Sequence, residues 1–297
     1  MLICNPEAGR QRRHRAHQIL AAQRELEGAG MSVETFHTTR PGDGAAIARH
    51  AVDGGAEMIV VCGGDGTIND VVCGMAHSKV PLAVLPGGTA NVLARELGLP
   101  LDIAAAARLI PQSVPRRLAL GRVGKRYFVV MAGVGFDAHV VRNLNGGWKR
   151  LFGMATYVME GLRLLVFDPP RPFILSAEHR RHEVTFACIS RAQFYGPVRM
   201  VREANLLSDQ FYVYGFSSSS PFRYLLYTLA LLTARHTRLP DFCGFPAQKV
   251  HCEQLANNQN QISLQVDGEF AGELPCTIEI VSDALTLLMP PALSAKN

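Results

Sequence analysis

The chain has 297 residues, of which 48% are hydrophobic and 19% are charged. This length is ample for one large domain or two ordinary ones, and the composition excludes disordered, collagen-like and disulfide-scaffold proteins. The net charge of +5 is compatible with anionic partners such as acidic lipid surfaces, nucleotides or nucleic acid, but it is too small to choose among them.

Cysteine usage and hydropathy both favour a soluble cytoplasmic protein. The seven cysteines contain no C-x-x-C pair, so we expect reduced, mostly buried thiols and no zinc clip or disulfide framework. The longest strongly apolar stretch, Tyr224 to Ala234, is too short to span a bilayer. Asn5-Pro6 follows the first residues so closely that we expect no signal peptide.

Through residue 100, short apolar runs alternate with helical stretches. The predicted strands are 1–4, 32–36, 58–62 and 82–85, and the predicted helices are 13–28, 45–51, 67–76 and 90–97. This interleaving predicts an α/β domain with a parallel sheet and with loops gathered at one edge of it.

The pattern changes between Pro111 and Pro115. The predicted strands beyond that point are 117–123, 126–131, 172–176, 182–190, 210–216, 261–266, 277–281 and 284–289, with helices at 148–165 and 221–233. We therefore expect a mainly antiparallel, β-rich sandwich as the C-terminal domain, at 117–289. The α/β domain would cover 1–116, and residues 290–297 would pack back on it.

The strongest chemical signal is a glycine-rich turn after an apolar strand. Gly63-Gly64-Asp65-Gly66-Thr67 ends that strand, and a helix begins directly afterwards. Glycines allow a sharp turn and close approach of the backbone to a ligand, and a helix N-terminus suits phosphate. An ordinary strand-to-helix turn capped by Asp65 or Thr67 is the alternative, but three glycines in four residues exceed what a cap needs.

Two further segments repeat this logic. Pro86-Gly87-Gly88-Thr89-x-Asn91 follows the next predicted strand, and Asn5-Pro6-x-x-Gly9 follows the first one. Because parallel strands end on the same side of a sheet, the three segments should meet there and form a phosphate cradle.

These three motifs, in this order, resemble those of the diacylglycerol kinase catalytic domain. Gly133-Val134-Gly135-Phe136-Asp137 and Val266-Asp267-Gly268-Glu269 also match. The chain is similar to bacterial members of the diacylglycerol kinase and sphingosine kinase family over nearly its whole length. Gly-Gly-Asp-Gly-Thr alone is shared with NAD kinases, so the full series carries the resemblance.

The resemblance implies a kinase that transfers the γ-phosphoryl group of ATP to a lipid hydroxyl, with the nucleotide between the two domains. It implies a nucleotide site made of Asn5, Pro6, Gly9, Arg10, Thr39 (or Thr38), Gly63, Gly64, Asp65, Gly66, Thr67, Ile68, Asn69, Gly87, Gly88, Thr89 and Asn91. Asp65 would act through magnesium, directly or through water.

The same resemblance assigns the general base to Asp267 or Glu269, and we favour Glu269. The alternative for this segment is a plain hairpin turn with ordinary flanking charge. Many relatives also hold a structural magnesium at an Asp-Gly pair. Here the candidate ligands are Leu206, Asp209 and Phe211, but Gln210 replaces the glycine.

Two other segments have simpler interpretations. The basic run Arg10 to His17 is expected to be a solvated helix face, with a membrane-facing or phosphate-steering patch as the alternative. The apolar segment 221–232 is expected to be a core helix, with a helix that walls a lipid pocket or touches a bilayer as the alternative.

The function predicted from the sequence is therefore a magnesium-assisted, ATP-dependent lipid kinase acting on a diacylglycerol-like or related long-chain lipid. It would be cytoplasmic, peripheral at the inner membrane face, without nucleic-acid partners, and possible as a homodimer. An NAD kinase and a non-catalytic nucleotide- or lipid-binding relative are the alternatives. Asn91 is followed by Val92, where many diacylglycerol kinases have an acidic residue, so the identity of the lipid stays open.

Overall fold

The structure is a computed structural model that describes residues 1–9, 12–144, 154–196, 198–233, 235–256 and 261–294. The chain forms two compact units. The first comprises Met1–Leu120 and Val281–Asn297, and the second comprises Gly121–Ile280.

The elements of the N-terminal third alternate between strand and helix as predicted. They are β1 (Leu2–Cys4), α1 (Arg12–Gly28), β2 (Thr35–His37), α2 (Asp43–Asp53), β3 (Ile59–Gly63), α3 (Asp65–Met75), β4 (Pro81–Pro86), α4 (Val92–Glu96), α5 (Ile103–Ala107), a 3-10 turn (Ile110–Gln112) and β5 (Val114–Val123).

The remaining elements are mostly strands. They are β6 (Arg126–Phe128), β7 (Met131–Gly135), α6 (Phe136–Asn143), α7 (Met154–Phe167), β8 (Phe173–Ala177), β9 (Arg180–Val184), β10 (Phe186–Ser190), β11 (Phe194–Tyr195), β12 (Val198–Arg199), β13 (Phe211–Phe216), α8 (Pro221–Leu232), a 3-10 turn (His236–Arg238), β14 (Phe242–Ala247), β15 (Lys249–Gln254), β16 (Ser263–Val266), β17 (Glu269–Glu273), β18 (Cys276–Met289) and α9 (Pro291–Ser294).

The sheet of the first unit is parallel. Its order is β2-β1-β3-β4-β18, and every neighbouring pair runs in the same direction. The core strands are continuous apolar runs, as expected for strands that are covered on both faces, and α1 and α5 pack on one face. The carboxyl ends of β1, β3 and β4 therefore share one edge, which brings the loops after Cys4, Gly63 and Pro86 together.

The second unit is a β-sandwich. One antiparallel sheet has the order β14-β13-β10-β7-β16-β17, and the other is formed by β15, β8, β9 and the first half of β18. A single core joins them, in which side chains such as Leu175 and Val250 from one sheet pack with Val134 and Val213 from the other. The predicted fold class, an α/β domain with a parallel sheet plus a mainly antiparallel β domain, is confirmed.

Several element boundaries differ from the sequence prediction. The strand predicted at 182–190 is interrupted at Thr185, whose N–H donates to the carbonyl of Phe216 (2.8 Å) and whose carbonyl accepts from the N–H of Phe136 (3.1 Å). Thr185 thus supports the first turn of α6, a helix that the sequence analysis did not predict. The helix predicted at 148–165 is observed from Met154 to Phe167, and 148–153 lie outside the described residues.

Candidate active site

The loop after β1 is joined to the first glycine turn by side-chain hydrogen bonds. Asn5 donates from Nδ2 to Thr67 Oγ1 (2.9 Å), and its Oδ1 accepts the N–H of Glu7 (3.0 Å). Gly9 follows with a left-handed φ of 69°, and a Cβ at that position would lie 2.7 Å from the carbonyl oxygen of Gly87. Asn5 and Gly9 therefore hold this loop against both glycine turns.

The two glycine turns pack directly on each other. The N–H of Gly87 donates to the carbonyl of Gly63 (2.8 Å). A Cβ on Gly88 would lie 2.6 Å from Cα of Gly64, and a Cβ on Gly87 would lie 3.0 Å from Cα of Gly63. These glycines are required because the backbones of the two turns touch each other. The sequence analysis had explained them instead by the close approach of a ligand.

Asp65 caps the helix that follows the second turn. Its Oδ1 accepts the N–H of Val92 (2.7 Å), and the backbone N–H groups of Leu93 and Asn91 also bond to it. Burial raises the pKa of Asp65, whereas these hydrogen bonds oppose the rise. The carboxylate thus ties the start of α3 to the start of α4.

Asn91 closes the second turn locally. It adopts a left-handed conformation with φ 49°, accepts the N–H of Gly88 (2.7 Å) and donates to the carbonyl of Gly88 (3.1 Å). Thr89 is exposed beside it, whereas Ile68 and Asn69, predicted as part of the same site, are buried in α3. The predicted set therefore includes exposed residues and residues that shape the turns from within.

Arg15 is a residue that the sequence analysis missed. It was expected on a solvated face, but it is only 5% exposed and donates from Nη2 to the carbonyls of Ala8 (3.1 Å) and Gly87 (2.6 Å). A pocket of about 300 Å³ opens next to it, lined by Arg15, Gln18, Pro86, Gly88, Thr89, Asn91, Leu101 and Ile103. The helical period could have indicated this burial, because Arg15 lies four and seven residues before the buried Ile19 and Ala22, on the same face of α1. The exposed His14 and His17 are not on that face.

The loop after β2 contributes a second set of bonds at the same edge. Thr39 donates from its N–H (2.9 Å) and its hydroxyl (2.7 Å) to Asp43 Oδ2, and the N–H of Gly42 donates to Asp70 Oδ2 (2.9 Å). The donors from Thr39 and Arg40 hold the pKa of Asp43 well below its usual value. Arg10, predicted to bind the nucleotide, lies outside the described residues.

In the second unit, Asp267 and Gly268 form the two-residue turn of the β16–β17 hairpin. Both have positive φ, 47° and 80°, as such a turn requires. Asp267 Oδ1 accepts the N–H of Met131 (2.8 Å) and of Val130 (3.2 Å), and Oδ2 accepts that of Val129 (3.2 Å). Asp267 therefore fastens the hairpin to the start of β7.

Glu269, two residues later, has a different environment. It is 48% exposed, and its Oε2 pairs with Nη2 of Arg126 at 2.7 Å. Of the two candidate bases, Glu269 is the more exposed, whereas the oxygens of Asp267 accept three backbone N–H groups.

A buried network lies behind the hairpin turn. Asp137, which is 1% exposed, accepts hydrogen bonds from the hydroxyls of Tyr157 (2.5 Å) and Tyr195 and from Nε2 of Gln265 (2.8 Å). Gln265 in turn accepts the N–H of Gly268 (2.7 Å). The sequence analysis matched Asp137 to a motif without giving it a role, and this chain of bonds shows that it supports the turn before Glu269.

The segment of the predicted structural magnesium ligands, Leu206, Asp209 and Phe211, lies against a buried arginine. The Leu206 carbonyl accepts from Nη2 of Arg191 (2.6 Å). Burial lowers the pKa of Arg191 to about 10, and Asp209 and Asp267 oppose that shift. Arg191 is therefore charged at neutral pH. Within the described ranges, no group of three or more His, Cys, Asp or Glu residues is placed to bind a metal.

Comparison with known proteins finds similarity to lipid kinases. Residues 1–123 match the model of the diacylglycerol kinase catalytic domain. The chain is 28% identical over 282 residues to the diacylglycerol kinase of Bacillus subtilis (strain 168), covering 92% of this chain and 90% of that protein. It is 39% identical over 145 residues to “Probable lipid kinase YegS-like” of Pseudomonas aeruginosa, covering 48% of this chain and 47% of that protein.

A solved diacylglycerol kinase structure from Bacillus anthracis str. Sterne shares the fold. It aligns with a TM-score of 0.79 over 98% of this chain and 97% of its own, at 22% identity. Residues 1–123 thus match the diacylglycerol kinase catalytic domain, and the chain as a whole is similar to bacterial proteins named diacylglycerol kinase.

Proposed function

We propose that this protein transfers the γ-phosphoryl group of ATP to a hydroxyl of a diacylglycerol-like or related long-chain lipid. The observation that carries the proposal is the pair of packed glycine turns in a unit that matches the diacylglycerol kinase catalytic domain. Their contact directs the first turn of α3 toward the edge of the sheet, where its N–H groups and dipole suit a phosphate chain.

The nucleotide would be bound by residues that the first unit already holds rigid. Arg15 adds a buried positive charge behind the loop of Gly9 and the turn of Gly87, which favours an anionic ligand at this edge. When bound, magnesium would neutralise phosphate charge, with Asp65 holding it through water. Phosphoryl transfer needs little more from the protein than this positioning and charge stabilisation.

Glu269 is proposed as the general base for the lipid hydroxyl. A base must come within about 2.6–3.2 Å of the proton that it removes. The exposed carboxylate of Glu269 meets that requirement better than Asp267, whose oxygens accept three backbone N–H groups. Arg126 would orient the Glu269 carboxylate until the acceptor hydroxyl takes its place.

A transfer assay tests the reaction. The protein is incubated with γ-labelled ATP, magnesium and mixed vesicles containing diacylglycerol, monoacylglycerol, phosphatidylglycerol and a sphingoid base, with NAD in a parallel sample. Label in a lipid product is expected. Label in NADP would instead support an NAD kinase, and nucleotide binding without any product would support a non-catalytic relative.

The acceptor is insoluble, so we propose that the protein works as a peripheral protein at the inner membrane face. In the described part of the chain, no helix is both long and apolar enough to cross a bilayer. The neighbouring helices α7 and α8 instead present large apolar side chains to solvent: Met159, Val166, Phe167, Phe222, Leu225 and Leu229. Such a patch suits insertion at the interface of a bilayer.

Vesicle flotation tests the membrane proposal. Binding to vesicles is expected to increase with anionic lipid and to weaken with salt, and Phe167→Ser with Phe222→Ser should reduce it several-fold. Leu20→Ser, at an exposed apolar residue of α1, is the matched control and should bind normally. Equal binding of both variants would remove α7 and α8 from the proposal. Light scattering, which gives the molar mass in solution, would test the predicted homodimer.

A further inference from the structure

The segment that the family resemblance assigns to a structural magnesium is bonded by a buried arginine from another part of the chain. Arg191 is wholly buried, with 0% exposure. Its Nη2 donates to the carbonyls of Leu206 (2.6 Å) and Ser208 (3.2 Å), and its own N–H donates to the carbonyl of Val130 (2.9 Å). The guanidinium therefore bonds the backbone carbonyls that precede Asp209.

The charges around Arg191 are those that a metal site would need. The carboxylates of Asp209 and Asp267 both act favourably on the guanidinium. Backbone carbonyls and a carboxylate are the ligands that magnesium and calcium take in proteins. Here one Leu206 carbonyl lone pair is already engaged by a positive donor, and a divalent cation at this point would face a buried charge of the same sign.

Gln210 agrees with this arrangement. A metal-binding loop must turn its carbonyls toward one point, which glycine at this position allows in the relatives, whereas this chain has Gln210. The loop is fixed from outside as well, because Nε2 of Gln248 donates to the carbonyl of Asp209 (3.3 Å). The backbone from Leu206 to Phe211 is therefore held by side chains of this protein.

We propose that the buried guanidinium of Arg191 replaces the divalent cation in this turn, so that the segment 206–211 is held by an internal cation and binds no metal. The inference does not depend on the proposed kinase reaction. It confines any divalent-cation requirement of the enzyme to the nucleotide. It also links the turn to Asp267, whose hairpin carries Glu269.

Metal content and thermal unfolding without nucleotide test this inference. The wild-type protein, passed through a chelating column, is expected to contain no stoichiometric magnesium or calcium by mass spectrometry. Its Tm should be the same in EDTA and in millimolar MgCl2 or CaCl2. Stoichiometric metal in the purified protein, or a Tm that EDTA lowers, would overturn the proposal.

Variants at Arg191 sharpen the test. Arg191→Ala removes the cation and opens space beside the Leu206 and Ser208 carbonyls, so its Tm should fall by several degrees in EDTA and recover in part with MgCl2 or CaCl2. Arg191→Lys should lose less stability and should remain insensitive to divalent cations. Arg122→Ala, at an arginine that pairs with Glu279 elsewhere in this unit, is the control and should show no cation response. If Arg191→Ala does not fold, the wild-type measurements decide the question. An Arg191→Ala protein that folds with wild-type Tm in EDTA would also count against the proposal.

Discussion

The glycine turns of the first unit and the acidic hairpin of the second are both motif segments, but their residues are used differently. In the glycine turns, the motif residues contact one another: Gly88 packs on Gly64, and Asp65 caps the helix that begins after Asn91. In the hairpin, Asp267 binds backbone N–H groups, while Glu269 is exposed.

This difference separates two kinds of motif residue. A glycine in the first unit is needed because the neighbouring backbone leaves no room for a Cβ, so its replacement should disturb the shape of the site and its stability together. An acidic residue in the second unit can be structural or chemical according to whether its oxygens are already engaged. The exposed one should be replaceable without loss of stability.

The largest effect is expected when the two acids of the hairpin are changed separately. Glu269→Gln should lower kcat by about 10²- to 10⁴-fold, the usual contribution of a general base. Its Tm should hardly change, because an exposed ion pair contributes at most about 1 kcal/mol. Steady-state lipid phosphorylation and calorimetry on the same preparations measure both quantities.

Asp267→Asn is the partner variant in that comparison. The new amide faces the backbone N–H groups that bond the carboxylate in the wild type, so about 2 kcal/mol of stability should be lost. Activity should fall as well. Near-normal kcat in Glu269→Gln, with kcat abolished and Tm retained in Asp267→Asn, would reverse the two roles.

The second effect is the contact between the glycine turns. Gly88→Ala places a Cβ 2.6 Å from Cα of Gly64 and 2.9 Å from Oδ1 of Asn91. The backbone of Gly64 cannot move away easily, and overpacking of this kind costs about 1–3 kcal/mol. We expect the Tm to fall by several degrees and ATP to bind at least tenfold more weakly, as measured by calorimetric titration.

Two other glycines calibrate that result. Gly64→Ala meets only Cα of Gly88, at 3.3 Å, and should be milder. Gly28→Ala, at the end of α1, has nothing within 4 Å and should leave both properties unchanged. If Gly88→Ala bound ATP as well as Gly28→Ala does, the contact between the turns would not shape the nucleotide site.

The alternation of β1, β3 and β4 with helices could be predicted from sequence because continuous apolar runs and glycine stops are local signals. The short helices α5 and α6 were not predicted. Helix α6 begins at Phe136, where Gly135 adopts a φ of 83° and the carbonyl of the distant Thr185 accepts the N–H of Phe136. Such a start depends on tertiary contacts that no local pattern contains.

The site shows the same limit. The glycine turns could be located from their spacing, since they follow consecutive parallel strands. The spacing of Arg15 from Ile19 and Ala22 could place it on the buried face of α1. Its two carbonyl acceptors could not be predicted, because they come from different loops. Arg191 was missed for a similar reason, as its acceptors lie fifteen and more residues further along the chain.

The third prediction concerns how the hairpin turn is held. Gln265→Met removes the bond to the N–H of Gly268 and the bond to Asp137. The loss of these hydrogen bonds costs about 1–3 kcal/mol. A positioning role predicts a several-fold lower kcat with KM for ATP unchanged, whereas a purely structural role predicts lower Tm alone. Gln248→Met, at a glutamine that bonds the Asp209 carbonyl, is the matched control and should retain kcat.

The smallest effect is expected at the loop after β2, and it depends on pH. The donors from Thr39 and Arg40 favour the ionised form of Asp43 in the folded protein, so its pKa is lower there than in the unfolded chain. The unfolded chain therefore binds the proton more readily, and the stabilisation is present above about pH 4 and is lost as the pH falls. Asp43→Asn cannot titrate, so its stability deficit relative to wild type should be largest near neutral pH and should shrink in acid.

Urea unfolding of both proteins across that pH range measures this difference in stability, because the other carboxylates titrate alike in both. Thr39→Ala removes one donor and should give a smaller change of the same sign. Parallel stability curves for wild type and Asp43→Asn would mean that these bonds do not favour the charged form, and that the loop is ordered by the bond from Gly42 to Asp70 instead.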